Sequence, residues 1–219
     1  MMTKTAQRPR RSQADRTATA RATLVAAATT MLSEQGYAGA TSSAIAAQAG
    51  LSTGALHHHF ATKEDLFIAV LDDAALRVRG LFADLREERS ANSDMAETLI
   101  KSLWSVYGKE AYWAVWEINV AWRSDKALRK RITDHRRNSR DQMNAAIRDN
   151  SFLLDRTKDA LFALLPVILS ALRGMFLETF ATRDEQFFRS QLEVLATVLR
   201  AGLNDAGTAV RRGRVVATK

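Results

Sequence analysis

Apolar residues recur along most of this chain at intervals of three or four positions, the spacing of a buried helix face. The first such face is formed by Leu24, Ala28, Met31 and Leu32. It predicts a helix over residues 16–35, which Gly36 ends as a left-handed residue with Tyr37 packing back on the last turn. No alternation with the period of a strand runs far enough to predict a sheet.

Eight further helices are predicted downstream, giving an all-α fold with about nine helices. The second runs from Thr41 or Ser42 to Gly50, and the others cover about 52–60, 63–88, 94–107, 110–123, 125–149, 157–181 and 184–203. Thr62 and Asp65 are spaced for a capping box at the start of the fourth helix. Pro166 is expected to kink or break the eighth helix, because proline lacks the backbone donor.

Composition narrows the classes of protein. The 219 residues include two prolines and no cysteine, which favours helices and excludes disulfides, thiolate metal sites and cysteine nucleophiles. Neither a secretory signal nor an uncharged apolar run of about 18 residues is visible, so we expect a cytoplasmic protein that binds no membrane.

Positive charge is concentrated at the two ends of the chain. Residues 1–60 hold six basic and two acidic side chains, a net charge of +4 within a total of +8. A basic N-terminal module is typical of a surface that binds phosphates. The stretch 1–15 is predicted to be a disordered basic arm that lies along DNA or floats free, and 205–219 a flexible basic tail.

The segment 41–63, TSSAIAAQAGLSTGALHHHFATK, has the pattern of a helix-turn-helix. A short helix with a Thr/Ser cap ends at Gly50, and a second helix begins at Ser52. Leu56, His59 and Phe60 share the buried face of that second helix. The opposite face is formed by Thr53, Gly54, His57 and His58. The short side chains from Ser52 to Ala55 would let the backbone approach base edges closely.

This segment and its flanks, from Gly36 and Tyr37 through Lys63, Glu64 and Leu66, resemble the N-terminal domain of the TetR family of bacterial transcriptional regulators. The resemblance covers about residues 16–71; the rest is similar to the family only in length and helical character. It implies a helix-turn-helix DNA-binding domain over 16–62 and a helical regulatory and dimerisation domain over 63–204.

The resemblance also implies roles by position. Thr41 and Ser43 would hold phosphates, and Thr53 and Ala55 would face bases. His57 stands where the family most often has tyrosine as a phosphate contact, and Lys63 would bind backbone phosphate at a helix start. The predicted DNA-binding set is Thr41, Ser43, Ser52, Thr53, Gly54, Ala55, His57, His58 and Lys63.

The histidine triplet at 57–59 and the basic run from Arg129 to Arg140 are both predicted to have structural roles. Three successive histidines at 57–59 point about 100° apart on a helix and cannot converge on one metal ion. The basic run from Arg129 to Arg140 contains interleaved acidic residues and predicts a solvated helix face, with His135 exposed among them. No metal and no cofactor are expected.

All four tryptophans fall within residues 104–122, together with Tyr107 and Tyr112. Such a cluster is either core packing between adjacent helices or the wall of a pocket for a flat or cationic ligand. Arg173, Met175 and Glu178 on the eighth helix are further candidates for a cavity wall. The ligand-binding set proposed from the sequence is Trp104, Tyr107, Trp113, Trp116, Glu117 and Met175.

The last two helices carry more apolar surface than one core needs. This surplus, with the resemblance, predicts a four-helix bundle made by two subunits and a homodimer on a palindromic operator. The predicted dimerisation residues are Leu165, Leu172, Phe176, Leu192, Leu195 and Leu199.

These features predict a ligand-responsive DNA-binding regulator, with a repressor released by a small apolar or aromatic effector as the preferred form. An activator and a ligand-independent DNA-binding protein of the same fold are the alternatives. An enzyme is disfavoured, because no nucleophile–base pair, phosphate loop or metal-ligand spacing occurs.

Overall fold

In the computed structural model of this chain, the described residues are 12–83, 85, 94–123 and 126–216. They form nine α-helices, one 3₁₀ turn and no strand, as the hydrophobic pattern predicts. The helices are α1 (Gln13–Gly39), α2 (Ser42–Gln48), α3 (Thr53–His59), α4 (Lys63–Ala83), α5 (Met95–Tyr107), α6 (Trp113–Ala121), α7 (Lys126–Arg148), α8 (Asp155–Glu178) and α9 (Glu185–Val216), and the 3₁₀ turn is Glu110–Tyr112.

Both ends of the helical region differ from the prediction. Helix α1 begins before residue 16 because Ser12 and Asp15 form a capping box, in which the Asp15 N–H donates to Ser12 Oγ at 3.1 Å. Helix α9 continues to Val216, so most of the predicted flexible tail 205–219 is helical. Residues 1–11 of the predicted arm, 86–93 at the predicted end of α4 and the Ser124–Asp125 break lie outside the described residues.

One compact unit comprises residues 1–71 and 113–129. Within it, α1 packs against α2, α3 and α6, and α2 packs against α3. Its fully buried side chains include Leu24, Leu32, Ile45, Leu56, Phe60, Leu66, Phe67 and Ile118. The unit is larger than the domain predicted at 16–62, because α6 and the start of α4 complete its core.

The second unit comprises residues 72–112 and 130–219, with α5, α8 and α9 packed on one another. The turn after α7 is fixed by Asn150, which is 6% exposed. Its side-chain amide donates to the Phe82 and Leu85 carbonyls at 2.9 and 3.0 Å, and its Oδ1 accepts from the Phe152 N–H at 2.8 Å. A buried polar side chain whose bonds are all made specifies one geometry for this turn.

Helix α5 is anchored at its start by Asp94. The carboxylate accepts from the Ala96 and Glu97 N–H groups at 3.1 and 3.2 Å, as an N-cap does. It also accepts from Arg200 Nε on α9 at 2.9 Å. Hydrogen bonding from Arg200 holds the pKa of Asp94 below its ordinary value of 3.8.

Helix α8 runs through Pro166 as one element, so the predicted break does not occur. Proline removes one backbone bond, and packing of neighbouring apolar residues on both sides keeps the helix continuous. Of the described helices, α8 is the one whose length and composition would also fit a membrane span, which the sequence analysis did not anticipate. Its buried face packs against α5 and α9, an arrangement that core helices share.

Candidate nucleic-acid interface

The turn between α2 and α3 is built from backbone hydrogen bonds that require a glycine. Gly50 has φ 66°, its N–H donates to the Ala47 carbonyl at 3.0 Å, and the Leu51 N–H donates to the Ala46 carbonyl at 2.9 Å. This pair of bonds is a Schellman motif, which ends α2 and reverses the chain. The predicted helix–turn–helix is therefore confirmed in its local geometry.

Hydroxyl side chains cap both short helices. The Ala44 N–H donates to Thr41 Oγ1 at 3.2 Å, and the Ala55 N–H donates to Ser52 Oγ at 3.1 Å. In each case the hydroxyl oxygen accepts the capping bond, as an N-cap side chain does. Thr41, Ser43 and Ser52 are exposed, and the Thr41 and Ser43 hydroxyls lie 3.2 Å apart. Exposed hydroxyl groups at the starts of both helices are groups that can bind phosphate oxygens.

Helix α3 has the two faces that its sequence predicts. Leu56 and the following Phe60 are buried, at 0% and 2% exposure, and His59 is half-buried beside them. The outward residues Thr53, Gly54, His57 and His58 are exposed, whereas Ala55 is half-buried. A face of short side chains followed by two imidazoles is open to a groove. The described residues include no group of three or more His, Cys, Asp or Glu placed to hold a metal.

A cation on α1 helps hold α3 in place. The Arg21 guanidinium lies 4.3 Å from the centroid of the Phe60 ring, at the C-terminal cap of α3. A guanidinium over an aromatic face is attracted by the ring quadrupole. The only sequence signal for this role is the position of Arg21, three residues before Leu24 and seven before Ala28, which puts it on the same face of α1 as the apolar residues.

Lys63 begins α4, and its ammonium lies 4.4 Å from the Tyr37 ring centroid and 5.3 Å from that of Phe67. Tyr37 in turn packs edge-on against Phe67 at 5.3 Å. The preceding capping box is confirmed, since the Thr62 N–H donates to Asp65 at 2.9 Å and the Asp65 N–H donates to Thr62 Oγ1 at 3.1 Å. The predicted phosphate-binding lysine is therefore held over two rings at a capped helix start.

Glu117 on α6 was predicted as a ligand contact, but the structure gives it a structural partner. Its Oε2 accepts from the Tyr37 backbone N–H at 2.9 Å. The preceding Gly36 has φ 69° and ψ −179°, an extended positive-φ conformation that essentially only glycine adopts, rather than the left-handed helical one predicted. A Cβ at Gly36 would lie 3.1 Å from the same carboxylate oxygen.

The other predicted ligand residues divide between the two units. Trp113 and Trp116 belong to the first unit and are half-buried. The Trp116 Nε1 is buried and has no hydrogen-bond partner among the described residues. In the second unit, the half-buried Trp104 stacks on the half-buried Phe188 at 5.6 Å between ring centroids, a packing contact between α5 and α9.

The remaining two candidates, Tyr107 and Met175, are buried in the second unit at 3% and 9% exposure. Tyr107 packs against Tyr112, with ring centroids 4.8 Å apart. Burial thus places these two side chains in the interior of the second unit, and the pocket interpretation stays a prediction.

Four of the six predicted dimerisation residues are core residues of the single chain. Leu165, Leu172, Phe176 and Leu199 are each no more than 1% exposed, so they have no surface to offer a second subunit. Leu192 and Leu195 are half-buried. The helical spacing of these residues does indicate an apolar face, but that face packs in the core of the single chain and not against a second subunit.

His135 was predicted to be exposed, and this was wrong. Its side chain is 9% exposed, and its Nδ1 lies 3.0 Å from Asp72 Oδ1 on α4. Burial lowers the pKa of His135, and the Asp72 carboxylate opposes that shift. The basic run is otherwise largely solvated, since Arg136, Arg137 and Arg140 are exposed.

Comparison with known proteins agrees with the geometry of the first unit. Residues 24–70 match the family model described as bacterial regulatory proteins, tetR family. The chain is 27% identical over 187 residues to the HTH-type transcriptional regulator CymR of Pseudomonas putida, covering 82% of this chain and 88% of that protein. It is 26% identical over 154 residues to the HTH-type transcriptional repressor AcnR of Corynebacterium diphtheriae, covering 68% and 74%.

Solved structures share the fold. A TetR-family regulator of unassigned function from Mesorhizobium loti superposes with a TM-score of 0.61 at 19% identity, covering 86% of this chain and 97% of that one. The multidrug binding protein EbrR complexed with imidazole superposes with a TM-score of 0.51 at 23% identity, covering 81% and 88%. The match of residues 24–70 to the family model, the sequence similarity to HTH-type transcriptional regulators and the all-helical fold together indicate a TetR-like, DNA-binding transcriptional regulator.

Proposed function

We propose that this chain is a homodimeric repressor that binds a palindromic operator through α3 and is released by a small-molecule effector. The observation that carries the proposal is the outward face of α3, where Thr53, Gly54 and His57 are exposed while Leu56 and Phe60 are buried. A helix with one face packed in the core and the opposite face exposed to solvent is suited to enter a major groove.

The length and chemistry of each side chain indicate which part of the DNA it would contact. Thr41, Ser43 and Ser52 supply hydroxyl donors at helix starts, where phosphates bind. Thr53 and Gly54 lie at the start of α3, where short side chains bring the backbone close to base edges. His57 and His58 extend beyond them, and Ala55 contributes mainly to the packing of the motif.

Repression is supported by the similarity to AcnR, a relative that is named as a transcriptional repressor. In this form of regulation, a protein bound over its operator blocks transcription, and an effector that prefers another conformation lowers its affinity for DNA.

A dimer is supported by apolar residues that α8 and α9 leave exposed. On α8 these are Val167 and Leu177, at 66% and 41% exposure, and on α9 Val194 and Val198, at 59% and 45%. Between the α8 pair lie the exposed Ser170 and Gly174, and a Cβ added at Gly174 would meet nothing within 4 Å. Small residues between apolar ones let two helices approach closely, as a symmetric bundle requires.

The dimer surface proposed here replaces most of the residues predicted from the sequence. The half-buried Leu192 and Leu195 lie at the edge of the proposed dimer surface. Its centre is formed by the exposed Val167, Gly174 and Val194. A two-fold symmetric dimer carries two copies of α3, which fits a palindromic operator with half-sites about one helical turn apart or a multiple of it.

An effector is supported by two observations. The structurally similar EbrR is named as a multidrug binding protein and was solved with imidazole. In this chain the Trp116 indole N–H is buried with no hydrogen-bond partner among the described residues, a donor that a bound molecule can satisfy.

Selection of binding sites from a random pool of duplex DNA tests the proposal. The wild type should enrich one palindromic sequence, and light scattering of the complex should give an even number of protein chains. The Thr53→Ala variant should enrich a different or weaker sequence, because it alters the groove face and leaves both caps in place. Enrichment of no sequence, or a monomer on an asymmetric site, would contradict the proposal.

A further inference from the structure

Two buried tyrosines in the second unit face charged groups that the DNA-binding role does not use. Tyr107 ends α5, and Tyr112 ends the 3₁₀ turn; they are 3% and 8% exposed. Their ring centroids lie 4.8 Å apart, and Phe176 on α8 meets Tyr112 edge-on at 5.2 Å. These rings form a compact aromatic wall with two hydroxyl groups.

A cation from α8 lies against this wall. The Arg173 guanidinium is 5.8 Å from the centroid of the Tyr107 ring. Burial acts to lower the pKa of Arg173, but its hydrogen bonding and electrostatic attraction to the phenol oxygens of Tyr107 and Tyr112 outweigh burial and raise that pKa. Among the described residues, no aspartate or glutamate lies within ion-pair distance of Arg173.

A second arginine adds positive charge to the same place. Burial lowers the pKa of Arg136 on α7, and the positive charge of Arg173 lowers it further. Both arginines nevertheless remain exposed. A charge that is partly surrounded by protein interacts more strongly with other charges than one on an open surface.

We propose that Arg173, Arg136, Tyr107 and Tyr112 form a binding site for the carboxylate of an aromatic anion. This inference rests on the proposed effector role and names the chemical class of the effector. The planar fork of Arg173 offers two parallel N–H donors that match a carboxylate, and the two phenol hydroxyls can donate from the buried side. Met175 and Phe176, at 9% and 1% exposure, supply apolar surface next to the fork.

The same cluster argues against a cationic effector, which the tryptophans alone would have allowed. A bound cation would add a third positive charge beside Arg136 and Arg173. An anion instead removes the repulsion between the two guanidinium groups, so its binding should stabilise the fold as well.

Calorimetry on the full chain without DNA tests the inference with a series of probes that differ mainly in charge: 2-naphthoate, 2-naphthamide and 2-naphthylmethylammonium. The naphthoate should bind about tenfold more tightly than the amide, since a charge-assisted bond exceeds a neutral one by roughly this factor. The ammonium should bind most weakly. Equal affinities for the three probes, or no detectable binding of naphthoate, would overturn the inference.

Variants locate the site. Arg173→Met should remove the preference for naphthoate and leave the affinity for naphthamide within about twofold, because only the charged contact is lost. Arg173→Lys, which keeps the charge without the fork, should retain part of the preference. Arg140→Met, a matched change of an exposed arginine on α7, should retain all of it. If Arg173→Met does not fold, Arg136→Met serves the same purpose, and an unchanged preference in both would overturn the inference.

Adding operator DNA separates this inference from the proposed function. Release of DNA by naphthamide or by the ammonium, but not by naphthoate, keeps the regulatory role and overturns the anion site. Tight binding of naphthoate that leaves DNA affinity unchanged keeps the site and overturns the effector role.

Discussion

The Glu117 carboxylate on α6 accepts a hydrogen bond from the Tyr37 backbone N–H at 2.9 Å. This bond joins α6 to the end of α1, next to the chain that enters the helix–turn–helix. Tyr37 also lies under the Lys63 ammonium at 4.4 Å. A displacement of α6 would therefore act directly on the residues that position α2 and the start of α4.

Removing the Glu117 carboxylate should destabilise the first unit. Glu117→Ala leaves the part-buried Tyr37 N–H without its acceptor, which costs about 1–3 kcal/mol of unfolding free energy. Glu117→Gln keeps an acceptor oxygen and should lose less. Chemical denaturation measures both, with Glu34→Ala as an exposed control on α1. A loss no greater than that of the control would show that the bond contributes nothing.

Gly36 should be less replaceable than Gly50, although both have positive φ. Gly36→Ala forces alanine into the φ 69°, ψ −179° conformation and brings its Cβ to 3.1 Å from the Glu117 carboxylate, costing about 1–3 kcal/mol. Gly50→Ala meets no atom within 4 Å and should cost about 1–2 kcal/mol. Thermal unfolding measures the loss of stability in the two variants. If Gly36→Ala and Gly50→Ala cost the same stability once Glu117 is also replaced by alanine, the difference between them in the wild type comes from the close contact with the Glu117 carboxylate. Greater tolerance at Gly36 than at Gly50 would refute the assignment.

The Asp94–Arg200 pair should make the second unit acid-sensitive. Because hydrogen bonding from Arg200 lowers the folded-state pKa of Asp94, its stabilisation is present above the ordinary value of 3.8 and disappears as pH falls through the folded-state pKa. The Asp94 and Arg200 side chains are 32% and 43% exposed, so screening by solvent keeps the contribution of the pair small. Asp94→Asn should be less stable than the wild type at neutral pH and equal to it in acid. Denaturation at several pH values measures the difference in stability between Asp94→Asn and the wild type. A difference that does not change with pH, and that the control Asp159→Asn also shows, would argue against a contribution from the Asp94–Arg200 pair.

The proposed dimer surface should be sensitive to charge. Val167→Glu and Val194→Glu should shift the mass in light scattering toward the monomer, because each places a carboxylate in an apolar interface. Val120→Glu on α6 is the matched control, since Val120 is 58% exposed and lies outside that surface. A dimer that survives both changes on α8 and α9 must use another surface.

Lys63 should contribute charge to DNA binding and not sequence preference. Lys63→Met should weaken binding to operator and random DNA by similar factors and reduce the slope of log affinity against log salt by about one. Thr53→Ala provides the contrast, with a loss confined mainly to the operator. An unchanged salt dependence in Lys63→Met would mean that its ammonium serves only Tyr37 and Phe67.

The helix–turn–helix could be predicted because its information is local. The caps at Thr41 and Ser52, the glycine at 50 and the apolar Leu56 and Phe60 each act within a few residues. Such signals set both the turn and the two faces of α3, so the motif followed from the sequence almost residue by residue.

The roles of Glu117, Arg21 and His135 depend on partners distant in sequence. Glu117 meets Tyr37 eighty positions away, and His135 meets Asp72. No local pattern reports such pairs, so a carboxylate among aromatic residues was interpreted as a ligand contact and a histidine in a charged helix as exposed.

The dimerisation residues show a different limit. Apolar spacing on α8 and α9 predicts buried positions, but it cannot tell burial inside one chain from burial between two chains. The structure makes that distinction through Leu172, which is fully buried, and Val167, which is 66% exposed.

A competitive shift assay of the wild type on DNA from upstream of its own gene, with excess random DNA, tests the central claim that α3 reads an operator. The account predicts a discrete complex that resists random competitor in the wild type and loses that resistance in Thr53→Ala, while Glu34→Ala behaves as wild type. The same assay is repeated with the operator that is selected from the random pool of duplex DNA. We expect the wild type and Thr53→Ala to differ there in the same way as on the upstream fragment. Binding that random DNA abolishes on both fragments would contradict the account, because it would leave only attraction between basic side chains and phosphates.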